Sequence, residues 1–170
     1  MNINKMTEKA QEAIVAAQRL AEEHNHSQLD VEHLLFALVD QQDGVVPQIL
    51  QRLGVDPRQV RSQVEALIQR MPRIYGPSQL TTSPRLRRAI EQAFQEANRL
   101  TDEYVSTEHL LLGILEDTER GGAGQLLRSF GVTRERVFSV MQQIRGGQRI
   151  TDPNPECCVC SRGAPRTIPC

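Results

Sequence analysis

A chain of 170 residues is long enough to bury one ordinary core. Its net charge of −1 gives no global field to attract nucleic acid or an anionic membrane. No apolar run nears the length of a transmembrane helix, since residues 34–39 are bounded by His33 and Asp40, and residues 1–9 lack the hydrophobic stretch of a signal peptide.

Thr7 is a good N-cap for a first helix, whose apolar stripe of Ala10, Ile14, Ala17 and Ala21 follows 4, 3, 4 spacing. Asp30 caps a second helix running to about Gln41, Gly54 stops a short third, and Asp56 caps a fourth. Residues 70–82, with Pro72, Gly76 and Pro77, read as a linker. The same order then returns. Ser83 caps a helix with Pro84 at its first position and a stripe of Leu86, Ile90, Ala93 and Ala97. Ser106 caps the next, to about Asp117, Gly131 stops a short one, and Thr133 starts the last, which ends near Arg145. No segment alternates as a half-buried strand does. Residues 146–170 hold four prolines, three glycines and all four cysteines, and are expected to be a flexible linker or tail.

This order reflects a duplication. Val31-Glu32-His33-Leu34-Leu35 is answered by Thr107-Glu108-His109-Leu110-Leu111, 76 residues on, and past one inserted residue Gly54-Val55 meets Gly131-Val132. Matches fall on apolar and turn positions while polar positions have drifted, the signature of a repeated core. The predicted fold is all-α: eight helices in two pseudo-symmetric four-helix repeats, about 7–70 and 83–145, forming one compact domain over residues 1–145. A seam between similar halves is a natural place for a ligand.

The repeated unit with its (S/T/D)-x-E-H-L-L turn resembles the amino-terminal domain of the Clp family of AAA+ unfoldases. The opening Asn4-Lys5-Met6-Thr7-Glu8-Lys9-Ala10, and Arg145-Gly146-Gly147 followed by Asp152-Pro153-Asn154-Pro155-Glu156, look most like the ClpB disaggregases. The resemblance implies a mobile appendage of a hexameric ATPase that contacts unfolded or aggregated protein clients and docks adaptor proteins in some relatives. It also implies that Thr7, Asp102 and Glu108 handle substrate. In ClpC-like relatives, the positions of Glu32 and Glu108 hold phosphoarginine. No G-x-x-x-x-G-K-[ST] occurs in the chain, so no cofactor is expected here, and ATP only with the ATPase modules such proteins carry elsewhere.

Each residue also has a plainer reading. Glu32 and Glu108 lie in the first turns of their helices, where a carboxylate gains roughly 0.3–1 kcal/mol from the helix dipole. His33 and His109 have no nucleophile and orienting acid arranged around them and are expected to be structural; Glu-His is not the zinc-binding His-Glu-x-x-His. Thr7 acts as a cap, and Asp102 reads as a solvated loop acid. Arg85, Arg87 and Arg88 read as a solvated face. Cys157, Cys158, Cys160 and Cys170 make a single C-x-x-C knuckle with stray partners, too little for a zinc site. The expectation is a cytoplasmic, monomeric recruiting module without metal, catalytic residues, nucleic acid or membrane partner. It would hold apolar client segments in a shallow groove lined by both halves, with Asp102, Glu108 and Glu32 at the rim. Two other readings are an adaptor-docking or phosphoarginine-reading domain and a stand-alone regulatory subunit of a Clp assembly.

Overall fold

The structure, a computed structural model, describes residues 2–154. Eight α-helices form among these residues: α1 (Glu8–Glu23), α2 (Val31–Asp40), α3 (Val45–Arg52), α4 (Pro57–Gln69), α5 (Pro84–Arg99), α6 (Thr107–Leu115), α7 (Ala123–Ser129) and α8 (Arg134–Arg145). A 3₁₀ turn (Ile3–Lys5) precedes them. The expected caps act as such. The Thr7 hydroxyl accepts from Ala10 N, Ser83 from Leu86 N, Asp56 from Arg58 N and Thr133 from Arg136 N. Gly54 and Gly131 follow the ends of α3 and α7 with φ of 78° and 77°, a left-handed turn that glycine enters without a Cβ penalty.

Helices α2 and α6 lie at the centre and are buried almost all round, which their near-continuous apolar sequences require. The helix packing between the halves is mirrored: α1 packs on α6 as α5 does on α2, and α3 on α8 as α7 does on α4. The chain segments before α1 and α5 are exchanged in the same way. Strand β2 (Thr81–Thr82), just before α5, pairs in parallel with β1 (Gln28–Leu29), the loop of the first repeat. Met6, just before α1, bridges in parallel to Val105 in the loop of the second. Alternation gives no sign of these pairs, because two residues are too few to show a period.

Local geometry is duplicated as well. Asn25 and Thr101, at the same place after α1 and α5, both adopt positive φ (55° and 57°). Asparagine tolerates that region; a β-branched threonine there is strained.

The second repeat packs its helices more closely at one point. Gly113 of α6 lies so near α5 that a Cβ would stand 2.1 Å from the Ala89 carbonyl oxygen, whereas the first repeat has Ala37 at the equivalent position.

The tail is ordered further than its composition suggests. Ile150, expected to lie in a flexible segment, is 5% exposed. Glu103 N donates to Ile150 O at 2.8 Å and Glu8 N to Pro153 O at 2.8 Å, so residues 148–154 lie back across the domain. The cysteines fall outside the described residues.

Replacing Gly113 with alanine forces α5 and α6 apart and should cost about 1–3 kcal/mol, read as a lowered urea midpoint with an unchanged m-value. Ala37→Gly should not mimic it.

Candidate functional site

Asp30 and Ser106 begin the two central helices, and both use the same device. The backbone N–H of each donates to the Nδ1 of the histidine three residues on, His33 and His109, at 3.0 Å. This is a capping box in which histidine takes the place of glutamate, and it accounts for the burial of His33 and His109. Since His33 Nδ1 accepts, its proton sits on Nε2, which donates to His26 Nδ1 at 2.8 Å. His26 corresponds by position to Asp102, whose Oδ2 lies 3.0 Å from His109 Nε2. The first repeat therefore has a His–His pair where the second has His–Asp. Burial, then the neighbouring His26, lowers the His33 pKa from 6.5 to about 4. Burial, with His24 and Arg73, also lowers that of His26.

Each central helix also buries a glutamate in its first turn: Glu32 is 5% and Glu108 4% exposed. A buried carboxylate needs a partner, and each copy obtains one differently. Arg145, at the end of α8, donates through Nη1 to Asp102 Oδ2 at 2.7 Å and through Nε to Glu108 Oε1 at 2.9 Å. Its Nη2 reaches the same Glu108 oxygen and the Ser106 hydroxyl. The equivalent residue of the first repeat is Ile68, a core side chain, so no cation can come from there. Instead Arg85 crosses the seam from α5. Its Nη2 donates to Glu32 Oε1 at 2.9 Å and to Asp117 Oδ2 at 2.7 Å, and its Nη1 to Asp30 Oδ2 at 3.1 Å. Ser83 Oγ donates to Asp30 Oδ1 at 2.7 Å, and Ala123 N to Glu32 Oε1 at 3.2 Å. A Cβ on Gly122 would stand 2.6 Å from Arg85 Nη2, so glycine there makes room for the guanidinium.

These pairings shift the acids in a definite direction. Burial pushes the Asp102 carboxyl up, but His109, the Ile150 N–H and Arg145 outweigh it and hold the group at about 2. Burial likewise raises Glu108, and Arg145 with His109 more than compensates, leaving it below its usual value. Both arginines are held above theirs: burial opposes their charge, but the surrounding carboxylates overcome it.

The structure thus gathers Asp102 and Glu108 on Arg145 and places Glu32 on Arg85. Thr7, fully buried, sits apart from both but donates its N–H to Val105 O at 2.9 Å, next to Ser106. Two expectations need correction. Asp102, Glu108 and Glu32 are not acids at a rim but buried and ion-paired, because each begins or precedes a buried helix. Arg85 is not part of a solvated face but the hub of three carboxylates. Arg85, Asp30, Asp117 and Arg145 were missed because their partners are distant in sequence; the one available signal was the set of three arginines at a helix start, an end that disfavours cations. Among the described residues, no group of three or more His, Cys, Asp or Glu is placed to hold a metal.

Beside Arg85 the seam opens into a cleft of about 360 Å³ lined by both halves: Leu67, Arg70, Met71 and Pro72 on one side, residues 119–122 on the other, with Glu32 and Arg85 at its base. A larger open groove of about 760 Å³ lies within the first repeat, between the end of α2, α3 and the start of α4. No helix among the described residues is long and apolar enough to cross a membrane.

Residues 5–143 match the Clp repeat (R) N-terminal domain family. The chain is 39% identical over 160 residues to the chaperone protein ClpB of Bacillus anthracis, covering 92% of this chain and 18% of that protein. It is also 39% identical over 160 residues to ClpB of Nitratidesulfovibrio vulgaris, with the same coverage. It therefore spans under a fifth of these relatives. The fold is shared with the Hsp104 N-terminal domain of Candida albicans (TM-score 0.78, 22% identity, 89% of this chain and 99% of that one). It is shared too with a ClpV N-domain solved in complex with a VipB peptide (TM-score 0.68, 20% identity, 88% and 92%).

Arg145→Ala leaves the buried Glu108 without its cation and removes one of the three partners of Asp102, and should cost about 3–5 kcal/mol by urea denaturation at pH 7. The acid dependence has two parts. The Asp102 contribution is complete above about pH 4 and is lost as the pH falls through about 2. For His33, the unfolded chain takes up a proton near pH 6.5 while the folded one resists until about 4. Stability should therefore decline from pH 6.5 to 4 by on the order of 3 kcal/mol. His33→Gln keeps a capping-box acceptor and should flatten that slope, measured as unfolding midpoints at stepped pH.

Proposed function

The chain belongs to the Clp repeat N-terminal domain family, and on that footing we propose that it recruits substrates or adaptors for a ClpB-like disaggregase, capturing exposed apolar segments of unfolded or aggregated protein. The observation that carries this reading is the seam cleft. It is open, lined by both repeats, and combines apolar Leu67, Met71 and Pro72 with the cations Arg70 and Arg120. Such a surface suits a short extended segment with apolar and acidic side chains. The buried acids do not hold the client at this cleft: Glu32 sets its shape by fixing Arg85 and the start of α7, while Asp102 and Glu108 fix Arg145 within the second repeat. Thr7 acts as a cap, and loss of a cap costs about 1 kcal/mol.

The small area of the cleft fits transient association, which a module that hands its client on requires. The hexameric ATPase assembly, the cytoplasmic setting and the monomeric state of this domain are parts of the same proposal. A complex between a relative's N-domain and a peptide supports peptide recognition on this fold. Reading phosphoarginine has one observation in its favour: Glu32 and Glu108 each already accept a guanidinium. It would require an incoming guanidinium to displace Arg85 or Arg145 from buried ion pairs, which binding at the seam cleft does not.

The test is nucleotide-free binding to labelled β-casein, an unfolded polypeptide, followed by fluorescence anisotropy. Leu67→Ser with Met71→Ser should weaken binding about tenfold while leaving the thermal midpoint within a few degrees. Unchanged affinity in that double variant would move the client site away from the seam.

A further inference from the structure

Residues 146–154 combine a hinge, an anchor and a set of specific hydrogen bonds. The hinge is Gly146-Gly147, with φ of 58° and 83° directly after α8. The anchor is Ile150, 5% exposed yet absent from the contiguous apolar core that joins all eight helices. Both backbone groups of this residue are paired: Ile150 N donates to Asp102 Oδ1 at 2.7 Å and Ile150 O accepts from Glu103 N at 2.8 Å. Three residues on, Pro153 O accepts from Glu8 N, one of the free donors in the first turn of α1. Asp102 thus serves two masters, Arg145 and His109 through Oδ2 and the strap through Oδ1.

An aliphatic side chain in its own seat, with its N–H and C=O both paired, is held as an extended peptide is held. Here the ligand is the chain itself. We propose that residues 148–154 are a displaceable strap, an autoinhibitory contact that covers the Asp102–Glu103 face and gives it up to an extended client segment carrying a branched aliphatic residue when it lifts about Gly146-Gly147. This deepens the recruiting function and rests on it, adding a second client-binding face to the seam cleft. The strap is suited to lifting because, among the described residues, it is tied down by one side chain and three hydrogen bonds beyond the turn that Gln148 N makes to Arg145 O, placing it among the low-stability parts of the fold, and because Ile150 can leave without opening a hole in the main core. Arg145 and His109 keep Asp102 charged and aimed after the strap departs, so the face is ready for the next N–H donor.

The test uses the whole 170-residue chain under reducing conditions, with Ile150→Ser to release the strap and Ile150→Val as the conservative control. Hydrogen exchange at the Glu8 and Glu103 amides should quicken about tenfold or more in Ile150→Ser and not in Ile150→Val. Affinity for labelled β-casein should rise about five- to tenfold in Ile150→Ser alone, since a covered face binds in proportion to its open fraction. Circular dichroism should report the same helix content in all three proteins. If exchange quickens but casein binds wild type and Ile150→Ser equally, the strap is not inhibitory and the recruiting function stands. If exchange is unchanged, Ile150 is not the anchor and the strap proposal fails. If neither protein binds casein, both fail together. A synthetic peptide of residues 146–154 should lower the affinity of Ile150→Ser towards the wild-type value; no effect of excess peptide would also overturn the proposal.

Discussion

The structure depends on how two buried acidic helix starts are neutralised. Helices α2 and α6 must be buried because their sequences leave them no polar face, and each carries a glutamate in its first turn. A carboxylate there gains from the helix dipole, but the dipole alone does not offset the loss of water. One guanidinium for each helix completes the arrangement. Arg145 comes from within its own repeat and joins the end of α8 to the start of α6. Arg85 comes from the other repeat and joins α5, α2 and the loop before α7 in a single contact set. One solution is local and the other spans the seam, so the two halves are held together by charge as well as by apolar packing.

The difference between the repeats follows from single substitutions. With Ile68 where the second repeat has Arg145, the first has a core side chain and no cation of its own at that position, and Arg85 supplies the charge. With His26 where the second repeat has Asp102, the first has a neutral histidine pair in place of an acid–histidine pair. The open cleft at the seam lies on the Arg85 side, while the tail docks on the Asp102 side. Similar backbones thus present two chemically distinct faces.

Much of the backbone was legible in the sequence because it is written locally. Caps such as Thr7 and Ser83, the stops at Gly54 and Gly131, and the 4, 3, 4 stripes act over a few residues, and the duplication confirms each against its copy. The site was only partly legible. Glu32, Asp102 and Glu108 could be singled out, but their burial could not, since it depends on helices packed around them from elsewhere in the chain. Arg85 meets Glu32 across 53 residues and Arg145 meets Asp102 across 43, distances at which no pattern in a single chain links an acid to a base. Ile150 was hidden for another reason: one aliphatic residue among glycines and prolines carries no periodicity.

The reciprocal exchange at Met6–Val105 and Leu29–Thr82 has the geometry of an isologous dimer written into a single chain. In a dimer of identical subunits, every substitution at the interface is made twice, and a residue that suits one side must suit the other. Covalent fusion removes that condition. An arginine can stand on one side of the pseudo-axis and an isoleucine at the equivalent position on the other, and each repeat can rely on its neighbour for what it lacks. The consequence is a division of labour without loss of symmetry in the backbone: one half is free to specialise only because the other half is always present, at an effective concentration that no dilution can lower.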